Sequence, residues 1–160
     1  MTSSTITIVA SDGHRLEAYQ VIPAGKPRGG LVIVQTAFGI SHYLRDVCAY
    51  YAAQGYAAIA PALYDRQRRQ AVFDHSPESA AETNRLRQGL QWDSALADVA
   101  AARDAVVEYG PTGVVGYCVG GSIAWLAAHE QAFAAVVSYY GKDIVDFLNR
   151  KPACPIILHF

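Results

Sequence analysis

Short blocks of apolar residues, too continuous to be half-exposed, constrain this chain more than any other feature. Leu31-Val32-Ile33-Val34, Tyr56 to Ala60, Thr112 to Tyr117, Phe133 to Tyr139 and Pro155 to Phe160 have strand length and little polar alternation. Such strands are buried on both faces, as in a parallel sheet covered by helices. The intervening stretches are long enough for helices. Ser41 can cap one running to about Gln54, with Gly55 as a stop just past its end. Ser76-Pro77 reads as another start, with proline in the first turn and one or two helices running to about Tyr109. Val119 to His129 supplies a further helix and Asp143 to Asn149 a short one. Ala62 to Ser76 reads as a loop, with Pro61 ending the strand before it.

The N-terminal part has a different period. Thr5 to Val9 alternates polar and apolar, Ser11-Asp12-Gly13-His14 signals a turn, and Leu16 to Ile22 reads as the returning strand. A hairpin followed by alternating strands and helices predicts an α/β fold. Its sheet is mostly parallel, with helices on both faces. The chain has 160 residues, 52% hydrophobic and 17% charged, which suits one folded domain over 1–160.

Charge and cysteine usage exclude several function classes. The net charge is -1, and the densest basic cluster, Arg66, Arg68 and Arg69, reads as a solvated loop, so no nucleic-acid partner is expected. No apolar run reaches the ~18–20 residues that cross a bilayer. Met1 to Val9 has no basic start followed by an apolar block. A cytoplasmic chain without a membrane partner is therefore expected. Cys48, Cys118 and Cys154 form no C-x-x-C pair, which argues against a disulfide framework or a zinc site. Oligomeric state is not legible.

The strongest chemical signal is Gly116-Tyr117-Cys118-Val119-Gly120-Gly121, a G-x-C-x-G between an expected buried strand and an expected helix. The serine form of this arrangement is the nucleophile elbow. A tight turn there lifts the nucleophile above the sheet, and the two glycines let strand and helix approach. The helix N-terminus favours a thiolate, and the Val119 N–H is placed to stabilise an oxyanion. A buried structural cysteine in a tight turn is the competing reading. The glycine spacing does not match a dinucleotide fingerprint. The loop Gln35-Thr36-Ala37-Phe38-Gly39, after the Leu31–Val34 strand, is where a second oxyanion donor belongs, with the Ala37 N–H as candidate.

From about Ser11 onward the chain resembles the dienelactone hydrolase family. The resemblance rests on Ser11-Asp12-Gly13-His14, Val34-Gln35-Thr36-Ala37-Phe38-Gly39, Gln54-Gly55-Tyr56-Ala57-Ala58, Pro61-Ala62-Leu63-Tyr64, Gly116-Tyr117-Cys118-Val119-Gly120-Gly121 and Tyr139-Tyr140-Gly141, in the family's order. It implies an α/β-hydrolase fold and a Cys-His-Asp hydrolase acting on a small ester or lactone without a cofactor. Cys118 would be the nucleophile, and Ala37 and Val119 the oxyanion donors. Thr36, Tyr64 and Tyr139 are the candidate substrate contacts. There are two departures. Thr36 stands where the family has a glutamate that helps activate the cysteine. In addition, Pro155 to Phe160 resembles the strand immediately before the catalytic aspartate, so the acid and histidine are expected beyond Phe160 and the domain is expected to be incomplete at its C-terminus.

Residues that could take over those roles read as structural. His159 lies at a strand end, where packing is the expected role. Asp143 and Asp146 read as surface residues of a short helix, and Arg85 and Arg87 as a solvated helix face. Two other functions compete with the hydrolase. One is a non-catalytic ligand-binding or interaction protein that kept the fold, and the other a redox-sensing thiol at Cys118.

Overall fold

The computed structural model describes residues 1–130 and 132–160. Strands β1 (Thr2–Val9) and β2 (Arg15–Ile22) form the hairpin, with Gly13 in a left-handed conformation at its turn. The remaining strands are β3 (Gly30–Val34), β4 (Ala57–Pro61), β5 (Thr112–Tyr117), β6 (Val136–Tyr139) and β7 (Ile156–His159). Among the described residues they form a seven-stranded sheet in the order β1-β2-β4-β3-β5-β6-β7. β2 pairs antiparallel with β1 and β4, and every other pairing is parallel.

The helices are α1 (His42–Ala53), α2 (Pro77–Gln88), α3 (Trp92–Asp104) and α4 (Val119–Glu130). Ser41 caps α1 through its hydroxyl, which accepts from Leu44 N, and Ser76 caps α2 in the same way from Ser79 N. The stretch from Pro77 toward Tyr109 holds two helices, separated where the chain passes through Gly89. A Cβ at Gly89 would collide with the Gln67 amide.

Alternation along the strands divides the core. Val32, Val34, Ile59 and Val114 belong to the cluster packed with α3 and α4. Leu31, Ile33, Ala58 and Val115 belong to the opposite cluster, with Leu44 and Cys48 of α1. This is the α/β architecture with helices on both faces that the apolar blocks predict. Each buried Val, Leu or Ile side chain among these contributes roughly 1.5–3 kcal/mol relative to exposure. β7, the outer strand among the described residues, leaves Ile157 and Phe160 largely exposed. No described helix is long and apolar enough to cross a membrane.

Some local expectations are corrected. Pro61 does not end its strand but closes β4 from within, opposite Ala18. Its missing N–H is tolerated at a strand terminus. The Ala62–Ser76 loop contains a 3-10 turn over Leu63–Arg66. The short helix after β6 is also 3-10, over Lys142–Phe147, and β6 begins at Val136 rather than at Phe133.

The basic cluster is a solvated loop only in part: Arg68 and Arg69 are exposed, whereas Arg66 is drawn inward. Arg66 donates Nε and Nη2 to Asp98 of α3, at 2.9 and 2.7 Å, and Nη1 and Nη2 to Asp12 of the hairpin turn, at 2.7 and 3.1 Å. The Asp98 side chain is fully buried and that of Arg66 is 20% exposed. Arg68 pairs with Glu82, and Arg69 lies 3.6 Å from Asp65. Closely spaced arginines look alike in sequence, but here each meets a different acid.

Candidate active site

The C-terminal ends of β3 and β5 bring the two predicted loops together. β3 pairs with β5 from Gly30–Thr112 to Val34–Gly116, so the loops that begin at Gln35 and Cys118 leave the sheet on adjacent strands. Open parallel sheets place their ligands at this end.

Cys118 follows β5 directly, with φ 57. A non-glycine residue in the left-handed region costs about 1–2 kcal/mol, so the surroundings must impose that conformation. The glycines explain how they do. A Cβ at Gly116 would overlap the Gly120 carbonyl, and one at Gly120 would overlap the Val34 and Gln35 carbonyls. At Gly121 a Cβ would lie 2.5 Å from Tyr139 O. The first turn of α4 is thereby pressed against the ends of β3, β5 and β6. The Cys118 N–H donates to Tyr139 O at 3.0 Å, and Cys118 O accepts from Gly121 N at 2.9 Å. The half-buried Cys118 opens into a cleft of about 390 Å³.

Phe38, Tyr43 and Tyr140 give that cleft apolar walls. Thr36, Ser41 and His75 supply its polar groups. Among the described residues, no other imidazole and no carboxylate lines it. The His75 ring sits 4.0 Å from that of Phe38, centroid to centroid.

The loop after β3 is held from below. Buried Gln35 accepts from Leu63 N through Oε1 at 3.2 Å. The Tyr64 hydroxyl donates to Ala37 O at 3.0 Å, and Thr36 Oγ1 accepts from Phe38 N at 3.3 Å. Among the described residues no acceptor takes the Ala37 N–H. The next loop crosses over this one. Phe73 N donates to Phe38 O at 3.1 Å, and Gly39, at φ 71, leaves room for the Ala71 carbonyl.

The candidate residues are placed unequally. Cys118 and Thr36 share the cleft. Val119 is the first residue of α4 and is buried. Tyr64 is also buried; it supports Ala37 from beneath and lines a separate cavity on the far side of the loop. Burial pushes its phenol well above the ordinary tyrosine range. Tyr139 does not line the cleft; its ring is stacked between Tyr117 at 5.0 Å and His159 at 4.5 Å. Tyr140 lines the cleft instead, its φ of 42 breaking the strand alternation.

Sequence reasoning passed over Tyr43 and His75, whereas Tyr140 is one of three tyrosines, with Tyr64 and Tyr139, that the sequence offers as pocket-lining candidates. The local signal for Tyr140 is the Tyr139-Tyr140-Gly141 turn. Asp143 is not a surface residue; it is half-buried and accepts from Ser122 Oγ at 3.1 Å, fixing the turn after β6 to α4. Asp146 is exposed, and Arg85 is an exposed residue paired with Glu82. Cys48, the other cysteine packed near the sheet, is sealed beneath α1, and burial pushes its thiol up to about 12.

The family model for the dienelactone hydrolase family matches residues 16–160. The chain belongs to that family. A carboxymethylenebutenolidase from Pseudomonas putida is 32% identical over 166 aligned residues, covering 99% of this chain and 70% of the relative. A relative from Escherichia coli strain K12, also 32% identical, is matched over 94% of this chain and 57% of its own length, so the chain spans little more than half of it. Two solved structures share the fold. A dienelactone hydrolase-like promiscuous phosphotriesterase from metagenomic libraries superposes with TM-score 0.71 at 20% identity, covering 99% of this chain and 69% of that one. An alpha-beta serine hydrolase homologue from Coxiella burnetii gives TM-score 0.71 at 14% identity, covering 99% and 73%.

Proposed function

We propose that this dienelactone hydrolase family member cleaves a small ester or lactone through a covalent thioester on Cys118. The observation that carries the reading is the left-handed backbone of Cys118 between β5 and α4, opening into an apolar cleft. A cysteine with only a packing role has no need of that conformation, which is stored at functional sites.

In the proposed reaction the Cys118 thiolate attacks the substrate carbonyl carbon. The displaced electron pair collects on the carbonyl oxygen, which the Ala37 and Val119 N–H groups stabilise. Collapse expels the alcohol and leaves an acyl-Cys118 thioester for water to hydrolyse. Thr36 borders the same cleft, but its hydroxyl is engaged by Phe38 N and cannot act as a carboxylate base. Phe38, Tyr43 and Tyr140 favour a substrate with an apolar or aromatic portion.

Release of p-nitrophenol from p-nitrophenyl acetate tests this. The wild-type chain should show at least a first stoichiometric release, and Cys118→Ala should show none above the uncatalysed rate. Equal release by both proteins would reject Cys118 as nucleophile. Turnover beyond that first release depends on the second half-reaction, which needs an activated water.

A further inference from the structure

We propose that the cavity on the far side of the loop after β3 is a binding site for a free α-amino acid with an apolar side chain. The ligand's ammonium group meets Asp65 and Glu17, and its carboxylate meets Arg45. The site is distinct from the cleft at Cys118 and stands whatever Cys118 does.

The cavity holds about 380 Å³, within the range of small-molecule sites. β2 contributes Glu17 and Tyr19, α1 contributes Arg45, and the turn after β4 contributes Asp65. Ile40 and Ala71 add apolar wall, and the close approach of Gly39 to the Ala71 carbonyl fixes the loops that carry them. Gln35 and Tyr64 line this cavity and not the cleft, whereas Cys118 lines the cleft and not this cavity.

The observation that calls for a ligand is Asp65. Its side chain is 1% exposed, and its Oδ1 has no hydrogen-bond partner among the described residues. Oδ2 is occupied: it accepts from Glu17 N at 2.9 Å and lies 3.6 Å from Arg69 Nη1. A buried carboxylate oxygen without a donor is costly, so a donor belongs beside it. Two further charges on the same cavity lack ion-pair partners among the described residues. Glu17 has no cation within ion-pair distance, and Arg45 has no carboxylate. The Arg45 guanidinium is instead laid over the Tyr19 ring, 4.4 Å from its centroid, which holds it at the cavity with its donors free for an anion.

The charges select the ligand. Glu17 and Tyr19 are two residues apart on one strand, so they share a face of β2 at a spacing of roughly 7 Å. The carboxylate side of the cavity therefore adjoins the side where Arg45 rests on Tyr19. An α-amino acid carries its ammonium and carboxylate groups on adjacent carbons, and with one hydrogen bond at each end it bridges such a gap. A plain ammonium ion would leave Arg45 unpaired, and a plain carboxylate would meet Asp65 and Glu17 with like charge. Tyr19, Ile40 and Ala71 then receive an apolar side chain.

The test is a titration of the isotope-labelled wild-type chain, Asp65→Asn and Arg45→Gln, following amide chemical shifts. The probes are L-leucine and L-phenylalanine, with isocaproate and isoamylamine as leucine lacking its ammonium group or its carboxylate. At least one of the two amino acids should bind the wild-type chain saturably, shifting the amides of Glu17, Tyr19 and Ala71. Each variant should bind it at least about 10-fold more weakly, the scale of a lost charge-assisted hydrogen bond, and isocaproate and isoamylamine should bind the wild-type chain at least about 10-fold more weakly than leucine. Asparagine keeps an acceptor for the Glu17 N–H, and Arg45→Gln carries the test alone if the spectrum of Asp65→Asn is that of an unfolded chain. No saturable shift with either amino acid, the result for a cavity that holds water only, would overturn the proposal. Unchanged affinity in Arg45→Gln, or isoamylamine binding as tightly as leucine, would overturn it as well.

Discussion

Two tight turns, each at the C-terminal end of a parallel strand, use their polar groups in opposite ways. After β4, the Leu63–Arg66 turn spends its charge inward: the Arg66 guanidinium grips Asp98 and Asp12 and ties α3 and the hairpin together. Burial pushes the Asp98 carboxyl up against the pull of Arg66, and the pair persists because its geometry is bidentate. After β5, the turn at Cys118 holds a strained backbone in place by glycine contacts and leaves its side chain facing a cleft. Saturated polar groups make a structural knot. Strain with an unsaturated side chain marks the position proposed here as the nucleophile. A strand end therefore becomes a site only where the surrounding side chains decline to neutralise it.

The largest expected effect tests what imposes the strain. Gly120→Ala would drive a Cβ into the Val34 and Gln35 carbonyls, both of them backbone atoms that cannot move aside. A loss above about 4 kcal/mol in urea unfolding is expected, a size reserved for such named steric failures. A loss under about 1 kcal/mol would show that the β3–α4 approach is looser than described.

The knot after β4 comes next. Asp98→Ala leaves Arg66 mostly buried with Asp12 as its remaining partner, and about 3 kcal/mol of destabilisation is expected, with little effect on Cys118 acylation. Selective loss of acylation would mean that the two turns are coupled. At the elbow itself, Cys118→Gly should be about 1 kcal/mol more stable than Cys118→Ala, because glycine accepts φ 57 without penalty. Equal stabilities would remove strain from the account.

The smallest expected effect is in acid. Arg66 holds the Asp12 carboxyl down to about 2, and hydroxyl bonds from Ser76 and Ser79 do the same for Asp74. A depressed folded-state carboxyl contributes stability above its unfolded value near ~3.9, and that contribution fades as pH falls through about 2. Urea midpoints should therefore decline between pH 4 and pH 2. Asp12→Asn should flatten part of that decline.

Much of the fold could be read from residues because its signals are local. The apolar blocks 31–34 and 112–117 became β3 and β5, Ser41 and Ser76 became caps, and Gly116-x-Cys118-x-Gly120 became a left-handed turn before a helix. What escaped depends on distance along the chain. Arg66 meets Asp98 and Asp12 across 32 and 54 residues, contacts that exist only once β4 lies between β2 and β3. Of the two adjacent tyrosines only Tyr140 reaches the cleft, where the backbone turns to φ 42, while Tyr139 stays stacked. His75 carried no sequence signal, since its position over Phe38 is set by the crossing of two loops.

The most direct test is intact-mass analysis after brief exposure to p-nitrophenyl acetate, followed by peptide mapping. The account predicts one acetyl adduct, on Cys118, absent from Cys118→Ala, with buried Cys48 unmodified in the native chain. An adduct on another residue, or an unmodified Cys118 beside normal phenol release, would contradict it.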